Sequence, residues 1–133
     1  MDIKDLAKKY GLKRDDFWEL HGNWILTHDA VTKIMHEEGI IIKRLESIFQ
    51  SEDSSRFIVT ASKVIREENG DHNFISITSV GEADRKNCRI PYLSSMAEKR
   101  GIDRCVLKLI RAYEYGIYSE VEADDFKKGD SNG

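Results

Sequence analysis

Asn69-Gly70 stands between two runs of strand composition, RFIVTASKVIR (residues 56–66) and NFISITSV (residues 73–80). Asn-Gly is the strongest two-residue hairpin signal, because a type I′ turn needs positive φ at both central positions. The two runs are therefore expected to pair antiparallel. A turn centred on Asn69 and Gly70 sets Val64 opposite Ile75 and Ser62 opposite Ile77 on one face. Lys63 then faces Ser76, and Ala61 faces Thr78, on a second and more polar face expected to line a wet groove, although Ile65 and Phe74 also fall there. Upstream, IIIKRLESIF from Ile40 has the same β-branched composition, and the polar residues 50–55 separate it from the hairpin. Three antiparallel strands follow.

Helical patterns flank them. Thr27 is a good N-cap for a helix running to Glu38 with Gly39 as its stop, and Val31, Ile34 and Met35 supply its buried face. Beyond the hairpin, Pro91 is the only proline, a residue suited to the first turn of a helix, and the stretch from there to Tyr113 is predicted as a long helix. Met96, Ile102, Cys105, Val106, Leu109, Ile110 and Tyr113 fall on one apolar arc of it. Near the N-terminus, Ile3, Leu6, Ala7 and Tyr10 have helical spacing before Gly11, so residues 2–20 are expected to be a short outer helix or an arm docking on a neighbouring subunit. His21-Gly22-Asn23 then turns the chain into Trp24-Ile25-Leu26. The order is that of an α+β domain: helix, three-stranded antiparallel β-meander, long basic helix. One domain is expected over residues 1–126, with 127–133 a disordered tail.

Charge is unevenly placed. The chain sums to −3, yet residues 85–111 carry eight cations against Glu98 and Asp103, a local +6, between segments of −5 (residues 1–84) and −4 (residues 112–133). Arg100, Arg104, Lys108 and Arg111 follow at steps of four, four and three, which predicts a single row roughly opposite the apolar arc. Lys99 sits beside that row, and Arg85, Lys86 and Arg89 in the preceding loop extend the patch. A phosphate backbone is the partner such a patch fits.

Other chemistries lack their motifs. The chain has no phosphate-cradling GxxxxGKS/T loop, no GxSxG, no CxxC and no HExxH. His28 and His36 are eight apart, and His21 and His72 stand alone, so no metal site is expected. Glu82 and Asp84 beside Lys86 resemble part of a nuclease cluster but lack a third carboxylate at motif spacing. Tyr92 is placed either to stack on a base or to be buried under the helix start. Cys88 and Cys105 make no disulfide framework, and Cys105 reads as core. No apolar run approaches the ~18 residues of a membrane span, and MDIKDLAKKY lacks a signal-peptide core, so an intracellular location is expected.

The segment GEADRKN, followed by PYLSSMAEKRGIDRCVLKLIRAYEYGIYSEVEADDF, resembles the C-terminal part of small phage recombination proteins, with their GEA turn, MAEKR-type helix and YSExEADDF tail. With the upstream WILTHDAVTKIMHEEGI, the resemblance spans roughly residues 23–126. Those proteins are grouped with single-strand annealing proteins, and the helix–three-strand–helix order is similar to the core of the Rad-fifty-two annealing proteins. The resemblance implies pairing of DNA strands without ATP, cofactor or catalytic residues, in the cytoplasm of an infected bacterial cell. It implies a homo-oligomer, ring or helical filament, whose groove holds single-stranded DNA, with a phage exonuclease or single-strand-binding protein as possible further partner. Lys99, Arg100, Arg104, Lys108 and Arg111, with Arg85, Lys86 and Arg89, would contact phosphates, and the hairpin's Lys63 and Arg66 would form the opposite wall. The alternative binding module with this element order is a double-stranded RNA-binding domain, and the alternative enzyme is a metal-dependent nuclease. Gly101 departs from the phage pattern, which has a small helix former there.

Overall fold

The computed structural model describes residues 2–88 and 92–122. Pro91, Arg89 and the proposed tail 127–133 lie outside them. The order is α1 (Ile3–Tyr10), β1 (Phe17–Leu20), β2 (Asn23–Leu26), α2 (His28–Glu37), β3 (Ile41–Gln50), β4 (Ser54–Arg66), β5 (His72–Asp84), α3 (Leu93–Leu109) and β6 (Ile117–Ser119). The predicted α+β core is present: β3, β4 and β5 form a three-stranded antiparallel sheet, and α3 packs on it.

The helix boundaries follow local rules. Asp2 and Asp5 form a capping box at the start of α1, and Gly11 ends it in the left-handed region. Thr27 Oγ1 accepts from the Ala30 N–H at 3.0 Å to start α2. The N-terminal segment is no outer arm. Ile3, Leu6 and Tyr10 are buried in the chain's own core with Ala30, Val31 and Ile34 of α2.

A second sheet was missed in the sequence. Its order is β1-β2-β6, with β1 and β2 antiparallel and β2 and β6 parallel. His21 and Gly22, both at positive φ (52° and 82°), make the two-residue turn between β1 and β2. The acidic stretch after α3 thus contributes a strand.

The β4–β5 turn differs from its expected form. Gly70 N–H donates to Glu67 O (3.0 Å) and Glu67 N–H to Asp71 O (2.8 Å), and only Gly70 of the Asn-Gly pair has positive φ. This is a three-residue loop with glycine in the left-handed position. It moves the register by one: Val64 pairs with Phe74, Lys63 with Ile75, Ser62 with Ser76 and Ala61 with Ile77. The face bearing Ala61 is not a wet groove. Ala61 and Val59 are fully buried beneath α3, whose Cys105 Sγ lies 3.3 Å from Val59 O.

The other face of the sheet is open. Thr60 and Thr78, then Ser62 and Ser76, are hydrogen-bonded across it, flanked by the exposed Phe74, Val64 and Val80. On the covered side, Gly101 of α3 meets Gly81 of β5 so closely that a Cβ on Gly81 would lie 2.0 Å from Ala97 O. Gly101 is therefore no weak point in the helix, because only glycine permits this approach.

Candidate nucleic-acid interface

The cations of α3 divide into an inner and an outer set. Arg100 is fully buried, contrary to the row expected opposite the core. Its Nε donates to Val121 O (2.7 Å), Nη1 to Glu82 O and to Asn87 Oδ1 (both 2.9 Å), and Nη2 to Asn87 O (2.9 Å). A guanidinium presents five N–H donors in a fixed fork, and carbonyls aimed at that fork offset the loss of water. Arg100 therefore fastens β5, the loop after it and the segment after β6 to one another. It is not available to a phosphate.

Arg104 is intermediate. Its Nη1 donates to Val80 O at 2.6 Å, and its Nε lies 3.6 Å from Glu122 Oε2. Burial raises the Glu122 carboxyl above its ordinary value, against hydrogen bonding from Tyr113 and the Arg104 charge. Arg100 and Arg104 together cover the outer edge of β5, an edge that would otherwise invite strand pairing.

Lys108 is exposed in the last turn of α3, which ends at Leu109 rather than running to Tyr113, so Arg111, at φ 60°, lies past the helix end and is also exposed. Lys108 Nζ donates to Ser79 Oγ at 3.0 Å, and Arg111 pairs with Glu114 at 3.0 Å. Lys99 is also exposed. In the preceding loop, Arg85 donates to Glu52 O at 2.9 Å, and Lys86 is exposed. Tyr92 is 71% exposed, which excludes burial under the helix start. It rims a cleft of about 490 Å³ with Arg85, Gln50 and Ser94.

The opposite wall retains less charge than expected. Lys63 Nζ is 2.5 Å from Glu38 Oε2, and Tyr10 Oη also donates to Glu38. Burial would raise the Glu38 carboxyl, but hydrogen bonds from Lys63 and Tyr10, with Lys9 nearby, hold it at about 2. Lys63 is thus committed to joining β4 to α2. Arg66 remains exposed at the end of β4.

The carboxylates weighed for metal have other work. Asp84 Oδ1 accepts from the N–H groups of Lys86 and Asn87 (both 2.8 Å), and Glu82 lies 3.8 Å from Arg56. Among the described residues, no three His, Cys, Asp or Glu side chains gather as a metal site. Nor does Asp103 relieve the basic row. It is buried, and its two oxygens bind His28 Nδ1 (2.8 Å) and Ser119 Oγ (2.6 Å). Burial raises the Asp103 carboxyl, and the hydrogen bond to it raises His28. His28 and Ser119 both contact Asp103, and the trio locks α2, α3 and β6 together.

Two surface aromatics share the open face of the sheet. Phe49 of β3 and Phe74 of β5 are 49% and 65% exposed, and the Arg56 guanidinium stands 5.7 Å from the Phe49 ring centre. No helix among the described residues is long and apolar enough to cross a membrane. Compared with protein-family models, with curated proteins and with solved structures, the chain matches none.

Proposed function

We propose that the chain binds single-stranded DNA and anneals complementary strands without ATP, as a homo-oligomer in the cytoplasm of an infected bacterial cell. A phage exonuclease or single-strand-binding protein as further partner belongs to the same reading. The observation that carries it is Arg104 and Lys108 on successive turns of α3, both anchored on β5, with Arg111 just past the end of the helix; Lys108 and Arg111 are exposed. Cations already held in place have less side-chain freedom to lose when a phosphate arrives. Contacts of this kind are blind to base identity and leave base edges open to a complementary strand. Lys99 on the same helix and the Arg85–Tyr92 cleft offer further phosphate and stacking contacts.

Binding of labelled oligo-dT, followed by fluorescence anisotropy across a salt series, tests the phosphate contacts. Each single-strand phosphate contact contributes roughly −0.7 to the log–log salt slope. Lys108→Ala with Arg111→Ala should therefore weaken binding and flatten the slope by roughly 1.4, with the fold intact by circular dichroism. An unchanged slope in the folded double variant removes these residues from the interface. A preference for double-stranded RNA over oligo-dT in the same titration would favour the RNA-binding alternative instead.

A further inference from the structure

The two edges of the large sheet are treated differently. β5 has its outer carbonyls at Val80 and Glu82 covered by Arg104 and Arg100, whereas the outer edge of β3 pairs with no strand among the described residues. β3 is also bare on both faces. Ile41 (51%), Leu45 (39%), Ile48 (50%) and Phe49 (49%) are all exposed. An open strand edge that also exposes apolar residues on both faces is a template for another strand.

The side-chain order of β3 says which strand fits. Leu45 is flanked by Arg44 on one side and Glu46 on the other, and further out by Ile41 and Phe49. If a second β3 runs antiparallel with Leu45 opposite Leu45, then Arg44 of each copy faces Glu46 of the other, and Ile41 faces Phe49. The faces agree as well. Ile41, Arg44, Glu46 and Phe49 pair with Ser62, Thr60, Ile58 and Arg56 on the open side, while Leu45 pairs with Val59 on the α3 side. Bulges at Lys43 and Ile48, which have no partner in β4, bound a regular window that contains Leu45 and its two charged neighbours, and a slip by one residue would set Leu45 against a side chain of the opposite face. Within one chain, Arg44 and Glu46 already sit 2.9 Å apart, half exposed, a pairing worth little in water that the cross-strand arrangement would replace.

We infer that β3 is a self-complementary edge through which two copies of this chain join, about a two-fold axis at Leu45, into one six-stranded sheet. The partner is a second copy because the charge order matches itself in this register, as an isologous contact requires.

Sedimentation velocity at micromolar protein, without DNA, tests the pairing independently of any nucleic-acid role. The parent chain should contain dimers. Arg44→Glu alone and Glu46→Arg alone, both at exposed positions, should each weaken dimerisation at least tenfold by setting like charges opposite one another. An equimolar mixture of the two variants should restore it, because every cross-strand pair is again of opposite sign. Leu45→Cys should form a disulfide-linked dimer on mild oxidation, the native Cys88 and Cys105 being buried. A parent chain that is monomeric throughout, or single variants that self-associate as well as their mixture does, would overturn the assignment.

Discussion

An alanine at Gly81 should cost the fold about 4 kcal/mol, at the upper end of single-substitution effects. Its Cβ would lie 2.0 Å from Ala97 O, 2.3 Å from Gly101 N and 2.8 Å from Gly101 Cα, all backbone atoms of α3. No rotamer change relieves a collision between backbones. The helix would have to lift off the sheet and surrender the buried contacts around Val59, Cys105 and Val106. Gly101→Ala gives the informative comparison. There helix propensity favours alanine by about 1 kcal/mol, but the new Cβ would meet Val59 Cγ2 at 2.6 Å inside the core. A net loss smaller than that at Gly81 is expected. Urea midpoints of the two variants against the parent check both values. A Gly81→Ala protein within 1 kcal/mol of the parent would mean that α3 does not approach β5 as described.

The second large effect is expected at Arg100. Hydrogen bonds from a charged donor contribute about 1.5–3 kcal/mol each, and acceptors left buried without a donor cost about 1–3 kcal/mol. Arg100→Ala strands the carbonyls of Glu82, Asn87 and Val121 together, so a loss of about 4 kcal/mol or more is expected, non-additivity included. Arg100→Lys should recover little of it, because one ammonium cannot reproduce a planar fork. Lys108→Ala, at an exposed position on the same helix, should stay within about 0.5 kcal/mol of the parent. Chemical denaturation of the three variants separates the structural arginine from the surface lysine. Equal, small losses at both positions would place Arg100 on the surface after all.

That contrast also marks what was legible in the sequence. Steps of four set Arg100, Arg104 and Lys108 in line, since helical spacing is a local property, but the helix ends at Leu109 and Arg111, in the left-handed region, leaves the row. Which part of the line meets solvent depends on the loop after β5 and on the segment after β6, which close over Arg100 from far along the chain. Residues 117–122 read as an acidic extension, yet Ile117–Ser119 pairs with β2, and the Val121 carbonyl receives Arg100. A parallel pairing between strands about 90 residues apart leaves no local signature in either.

Caps behaved differently. Thr27 and Gly11 act where they were read, because a cap is decided within one turn of helix. The hairpin was half legible. Asn69-Gly70 does mark the turn, but Gly70 alone takes positive φ, and the extra loop residue moves every β5 partner by one. With side chains alternating at a period of two, that single step hid the burial of Ala61 under α3, whereas Phe74 lies on the exposed face in either register.

The proposed activity rests on phosphates being held while bases stay free, with base stacking, worth about 1.4 kcal/mol per step, driving the duplex together. Its most direct test is the annealing rate of two complementary single strands, read by fluorescence quenching, with scrambled strands as control and neither ATP nor divalent metal present. The protein should accelerate the complementary pair alone, and the Lys108→Ala, Arg111→Ala variant should lose most of that acceleration while remaining folded. No acceleration at any ratio of protein to nucleotide, even with tight binding, would contradict the annealing function.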